Sequence, residues 1–217
     1  MNLQTLFPTP FVQIENPYLA ARVRPLINTI LDDPQYHSRI MNYTSTFDPM
    51  NKIEDQIELA QPLVSMKEYL FDLGVAFLNQ AGYQTDLMHL GCELHFNRIN
   101  QGQSHQKHLH SGNIVASGTF YVDFPAGSSP LVLHDPRLHR EMVSYPMRVT
   151  EWSKRRHYTE LRTGSICIME GYLHHEVETN STNGRTVVLF NLVNYTVCSQ
   201  RSPSTGQLSR PSAKRQR

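Results

Sequence analysis

The chain has 217 residues, of which 39% are hydrophobic and 18% charged, with a net charge of +1. That suits one soluble globular core and is too short for two. No apolar run reaches the ~18 residues a membrane span needs. The start MNLQTLFPTPFVQ lacks the basic and long apolar stretches of a signal peptide. Cys92, Cys167 and Cys198 lie far apart without a CxxC pair, which favours a reducing, cytoplasmic setting over a disulfide framework.

In chain order, residues 16–33 read as a helix with Asn16 as N-cap and Pro17 in the first turn. Leu19, Val23, Leu26, Ile27, Ile30 and Leu31 share one face, and Pro25 should kink or split the helix. Residues 34–60 are polar and irregular, a loop long enough to close over something. Residues 62–81 give a second helix, begun by Pro62 and stopped by Gly82, with a stripe of Leu63, Met66, Leu70, Leu73 and Phe77. The hydrophobic period then changes to two. Strands are expected at 93–99, 113–124, 130–135, 144–152, 164–170, 174–179 and 185–197. Asn183-Gly184 is a turn signal that predicts a hairpin between 174–179 and 185–191. Helices followed by short strands give a mainly β fold with flanking helices, a β-sandwich or jelly roll. One domain spans 1–198, helical to about residue 90 and jelly roll from about 91 to 198. Residues 199–217 carry four Arg, one Lys and no acid, and read as a disordered basic tail. The tail could touch nucleic acid or an acidic partner, but a solvated terminus is the simpler reading.

Two histidine clusters stand out: HQKHLH at 105–110 and YLHHEV at 172–177. In a strand His108 and His110 share a face, with Leu109 opposite. His175, on the face shared by Leu173 and Val177, can supply a third ligand, and three ligands on one face leave an iron with open positions. His105 is out of phase and falls to a loop or to the surroundings of the site. His174 faces away from His175, and His134 and His139 read as surface or mouth residues. If a hairpin pairs Glu178 with Arg185, Arg185 lies about 10 Å from His175 at ~3.3 Å per residue. A guanidinium there suits the far carboxylate of a small diacid whose other end chelates the metal.

The spacing of His108, His110, His175 and Arg185 resembles the Fe(II)/2-oxoglutarate-dependent oxygenase superfamily, and in particular its compact phage and bacterial members. The resembling stretches are LFPTPF, FNRINQGQSHQKHLHSGNIVASGTFYVDFP, LVLHDPR and GSICIMEGYLHHEVETNSTNGRTVVLFNLVNY. The resemblance implies a double-stranded β-helix, the cupin-like form of the jelly roll. It implies iron held by His108, His110 and His175, and 2-oxoglutarate anchored by Arg185 with Tyr121 beside it. Val187 would lie beneath the cosubstrate, Asn191 would look toward substrate, and Asn97 is a further pocket candidate. Asp135 and Arg137 match a family motif and would order a loop near the mouth. His110 stands where the superfamily pattern has a carboxylate, which leaves the metal one unit more positive. Asp123, Asp135 or Glu176 could supply a carboxylate instead.

The implied activity is an Fe(II)- and 2-oxoglutarate-dependent hydroxylation of a C–H bond. The substrate would be a small molecule or peptide side chain, molecular oxygen the co-reactant, and succinate and carbon dioxide the co-products. Two alternatives remain at this point. One is a three-histidine cupin-like dioxygenase that uses no 2-oxoglutarate. The other is a non-catalytic jelly-roll binding protein.

Overall fold

The structure, a computed structural model, describes residues 7–38, 41–48, 52–137, 148, 150 and 153–196. A short strand, β1 (Phe11–Glu15), leads into helix α1 (Pro17–Asp32). Asn16 caps α1: its Oδ1 accepts from the Leu19 backbone N–H at 3.0 Å, and Pro17 sits where no N–H is needed. Pro25 does not split the helix, which runs on through it. The face formed by Ala20, Val23, Ile27, Ile30 and Leu31 is buried against the core. That packing outweighs the local cost of the proline. One short helix, α2 (Ile53–Gln56), precedes α3 (Gln61–Gln80), which carries Pro62 in its first turn and is followed by Gly82 as expected.

The remaining strands are β2 (Thr44–Ser45), β3 (Leu90–Ile99), β4 (His105–His108), β5 (Ile114–Asp123), β6 (Val132–His134), β7 (Arg156–Tyr158), β8 (Ser165–Glu170), β9 (His175–Val177) and β10 (Arg185–Asn194). They form two antiparallel sheets, a major one ordered β1-β8-β5-β10-β3-β2 and a minor one ordered β4-β9-β6-β7. This is a jelly roll backed by helices, as the element pattern predicts. β1, β2 and β7 are additions that the sequence pattern did not reveal. Most of the expected strand at 144–152, together with His139 and the tail at 199–217, lies outside the described residues.

The register sorts the major sheet into two faces. Phe96, Phe120, Ile166, Ile168, Val188 and Phe190 join α1 and α3 in one buried cluster. Their neighbours along each strand point the other way, so Asn97, Tyr121 and Val187, which stand side by side across β3, β10 and β5, face the minor sheet.

The expected hairpin is absent. β9 pairs with β4 and β6 in the minor sheet, whereas β10 pairs with β3 and β5 in the major sheet. The link between them crosses from sheet to sheet. Its turn is closed against a different loop: Gly102 N donates to Asn180 O, Asn180 N to Gln103 O, and Gln101 N to Asn183 Oδ1. Gly184, at φ +80°, makes the bend. Glu178 does not meet Arg185; it bonds Arg156 Nη1 at 3.2 Å on the outer side of the minor sheet.

Candidate metal centre

His108 and His175 stand directly opposite each other on β4 and β9. Their ring centroids are 4.2 Å apart, and His110, just past the end of β4, lies 5.3 Å from each. One ligand atom from each of the three lies within 4.8 Å of the others, so they can share an ion. Leu109 between them is exposed.

Backbone carbonyls set two of the three rings. Nδ1 of His108 donates to Gln106 O and Nδ1 of His175 donates to Leu173 O, both at 2.8 Å. Each bond fixes the tautomer that leaves Nε2 with a free lone pair. His110 is placed by its main chain, which donates to Gly171 O at 2.8 Å, and its Nε2 lies 3.2 Å from Ser117 Oγ. The turn at 170–173 therefore supplies the carbonyls that position both His110 and His175. Gly171 is required there, because an added Cβ would sit 2.3 Å from Ile114 O.

The imidazoles are tuned to the neutral, ligating form. Burial, with the nearby His108 and His95, lowers His110 to about 4. Burial first, then the other cluster histidines, holds His175 well below its usual value. Burial also lowers His108.

A cavity opens beside His108 and His175, and Asn97, Tyr121, Val187 and Arg185 line it. Arg185 is 1% exposed. Its Nε donates to Ser129 O at 3.1 Å, and its guanidinium packs over the rings of Tyr121 at 5.2 Å and Phe124 at 5.8 Å. Among the described residues no carboxylate pairs with it. Burial lowers its pKa, but a guanidinium stays charged at neutral pH. The Tyr121 hydroxyl is fully buried near Arg185 and Thr119 yet makes a complete hydrogen bond with neither. Asn97 accepts from Ser45 Oγ at 2.6 Å. Asn191 does not line this cavity. It sits two residues further along the same face than Leu189, opposite Ser117 and therefore on the His110 side, with Oδ1 buried and unpartnered.

The expectations for His134 and for a carboxylate ligand need correction. His134 is no surface residue: it is 5% exposed and shares a 3.0 Å hydrogen bond with Glu176 Oε1. Glu176 is thereby occupied, Asp123 lies 3.9 Å from Arg24, and Asp135 grips Arg137 through two bonds of 2.8 Å. None of these carboxylates joins the histidine group. His105 lies closer to the centre than its sequence phase suggests. β4 places two residues between His105 and His108 where β9 places one between Val177 and His175. That β-bulge restores His105 to the inward face, where it stacks on His108 at 4.2 Å and lines the cavity. The clustering of histidines was the only sequence signal for it.

The donor set fits the superfamily's metal and cosubstrate: three neutral imidazoles for a divalent iron, and a buried cation and hydroxyl with no acceptor for a dicarboxylate. Residues 93–191 match the family model described as "Putative 2OG-Fe(II) oxygenase". No curated protein sequence matches the chain. Similar solved structures include a prolyl-4-hydroxylase from Pseudomonas putida, 12% identical, with a TM-score of 0.58 over 86% of this chain and 93% of that one. A Trichoplax adhaerens prolyl hydroxylase, solved with a hypoxia inducible factor peptide, is 9% identical, with a TM-score of 0.59 over 89% and 87%. AviO1 from Streptomyces viridochromogenes is 13% identical, with a TM-score of 0.58 over 87% and 91%. At these identities the structures speak for the fold. The family match spans the stretch that holds all three histidines and Arg185, and together with the shared fold it supports the Fe(II)/2-oxoglutarate-dependent oxygenase superfamily.

Proposed function

We propose that the chain hydroxylates a C–H bond of a small molecule or peptide side chain, with Fe(II) on His108, His110 and His175 and 2-oxoglutarate in the adjoining cavity. The observation that carries this reading is Arg185, a wholly buried cation beside the histidines with no carboxylate partner among the described residues. A buried charge left unpaired is costly, so an anionic ligand is its natural complement. Iron on His108, His110 and His175, with 2-oxoglutarate anchored by Arg185, would supply the oxidising power for this hydroxylation by molecular oxygen, with succinate and carbon dioxide as co-products.

The protein's own residues orient and exclude. Nε2 of His108 and of His175 are presented by the carbonyls behind them. Arg185 receives the distal carboxylate with two parallel hydrogen bonds, and Tyr121 adds a third. Val187, 2% exposed, walls the cavity against water and forms its floor. Asn97, held by Ser45, forms the side wall. Asn191, with its free buried Oδ1, meets a hydrogen-bond donor of the substrate. A peptide substrate gains support from the peptide-bound Trichoplax structure.

The test is succinate release by Fe(II)-loaded protein under air, with titration of 2-oxoglutarate into the anaerobic Fe(II) protein. Tight binding that is lost in Arg185→Met is expected. A protein that binds iron but neither binds nor consumes 2-oxoglutarate is instead a three-histidine dioxygenase of another type.

A further inference from the structure

The Tyr43 hydroxyl is a buried group that this reading leaves unused. Tyr43 comes from the segment between α1 and α2, outside the stretch 93–191 that matches the family. The segment is firmly attached. Thr44 and Ser45 pair with Arg98 and Asn97 at the edge of the major sheet, Thr46 N donates to Phe96 O at 2.9 Å, and Gln103 Nε2 donates to Asn42 O at 3.1 Å. Tyr43 is 5% exposed. It clusters with Ile99 and Val177, and its ring lies 5.4 Å from that of His105. All three of those neighbours line the cavity. The hydroxyl is buried and has no hydrogen-bond partner among the described residues. Burial raises its pKa to about 12 against the opposing pull of Arg185, so it keeps its proton at neutral pH and is sensitive to the guanidinium charge.

Buried polar groups are almost always partnered. Here Tyr121 and Arg185 line the cavity and Tyr43 packs directly behind its wall at Ile99, His105 and Val177; all three are donors, and the described residues offer the two hydroxyls no acceptor. A carboxylate accepts about four hydrogen bonds. Two from Arg185 and one from each tyrosine fill that capacity.

Resting on the cosubstrate reading above, we propose that the Tyr43 hydroxyl is a further donor to the distal carboxylate of 2-oxoglutarate, which makes the segment before the jelly roll part of the cosubstrate site. Tyr43 is then a binding residue, remote from the metal, that selects for a diacid over a shorter 2-oxo acid.

The experiment uses the full chain loaded with Mn(II), which holds the metal site without turnover. Calorimetric titrations of 2-oxoglutarate and of oxalate, which reaches only the metal, are compared for wild type and Tyr43→Phe. The expected result is 2-oxoglutarate bound about tenfold or more weakly, the loss of one hydrogen bond to a charged group, with oxalate unchanged. Unchanged 2-oxoglutarate affinity overturns the proposal, and so does an equal loss for both ligands, which would mark Tyr43 as packing alone. Wild type that binds oxalate but not 2-oxoglutarate overturns the cosubstrate reading itself, a failure visible without the variant. Should Tyr43→Phe fold poorly, an anaerobic crystal of the wild-type complex decides: the hydroxyl stands within hydrogen-bond distance of the distal carboxylate or it does not.

Discussion

The two sheets are built to different standards. In the major sheet β3, β5 and β10 run ten residues each and their outer face is sealed by α1 and α3. In the minor sheet no strand exceeds four residues, and its edge strand β7 is exposed throughout, with Arg156 and Tyr158 meeting Glu178 near the surface. Yet two of the three histidines stand on the thin sheet, and Arg185 stands on the thick one. Core packing thus secures the anchor, whereas main-chain hydrogen bonds at a single turn and two carbonyls secure the ligands. Affinity for the cosubstrate's far end and for the metal should respond to different kinds of damage.

Phe190→Ala should have the largest effect, because Phe190 fills the interface between the major sheet and the helices. A loss of about 3–5 kcal/mol in urea unfolding is expected. A loss under about 1 kcal/mol would mean the helices are not what stiffens this sheet. Arg185→Met should act in the opposite direction on the ligand-free protein. Replacing a buried unpaired cation with an apolar chain should raise stability by about 1–4 kcal/mol while removing 2-oxoglutarate binding. A destabilised variant would show that Arg185 is structural. Gly171→Ala meets the Ile114 carbonyl and should cost about 1–3 kcal/mol. Metal titration should show weaker binding in that variant, because His110 and His175 both take their positions from this turn.

The last effect is that of pH on the metal-free protein. His105 is lowered to about 3, chiefly by burial, and His110 to about 4, against 6.5 for the unfolded chain. Between those values the unfolded state binds more protons, so stability falls as pH drops from about 6.5 toward 3. Melting temperature measured from pH 7 to pH 4 should decline, and a His105→Gln, His110→Gln double variant should flatten the decline. An equal slope in both proteins would place the acid sensitivity elsewhere.

Much of this was legible in the sequence where the signal is local. Asn16-Pro17 and Pro62 set helix starts by capping and by fixed backbone angle, and the two-residue period located β3, β5, β8 and β10. The parity rule brought His108 and His110 together. The same rule put His105 out of phase, because one inserted residue reverses phase and nothing in HQKHLH announces a bulge, although His105 does lie in the surroundings of the site, one of its two expected places. Asn183-Gly184 encodes a bend but not its partner: the bend closes on the loop at 100–103, so the hairpin inference failed although the turn is real. His134 looked exposed because its burial depends on Glu176, forty-two residues away. Tyr43 has no local signature at all; its environment is assembled from β3, β4 and β9.

The crossing between β9 and β10 has a mechanical corollary. On the proposed reading, a molecule chelated beside His175 and clasped by Arg185 ties one layer of the sandwich to the other across their gap. Occupancy would then damp breathing between the layers, and amide hydrogen exchange along the short strands should slow most when the ligand carries both ends.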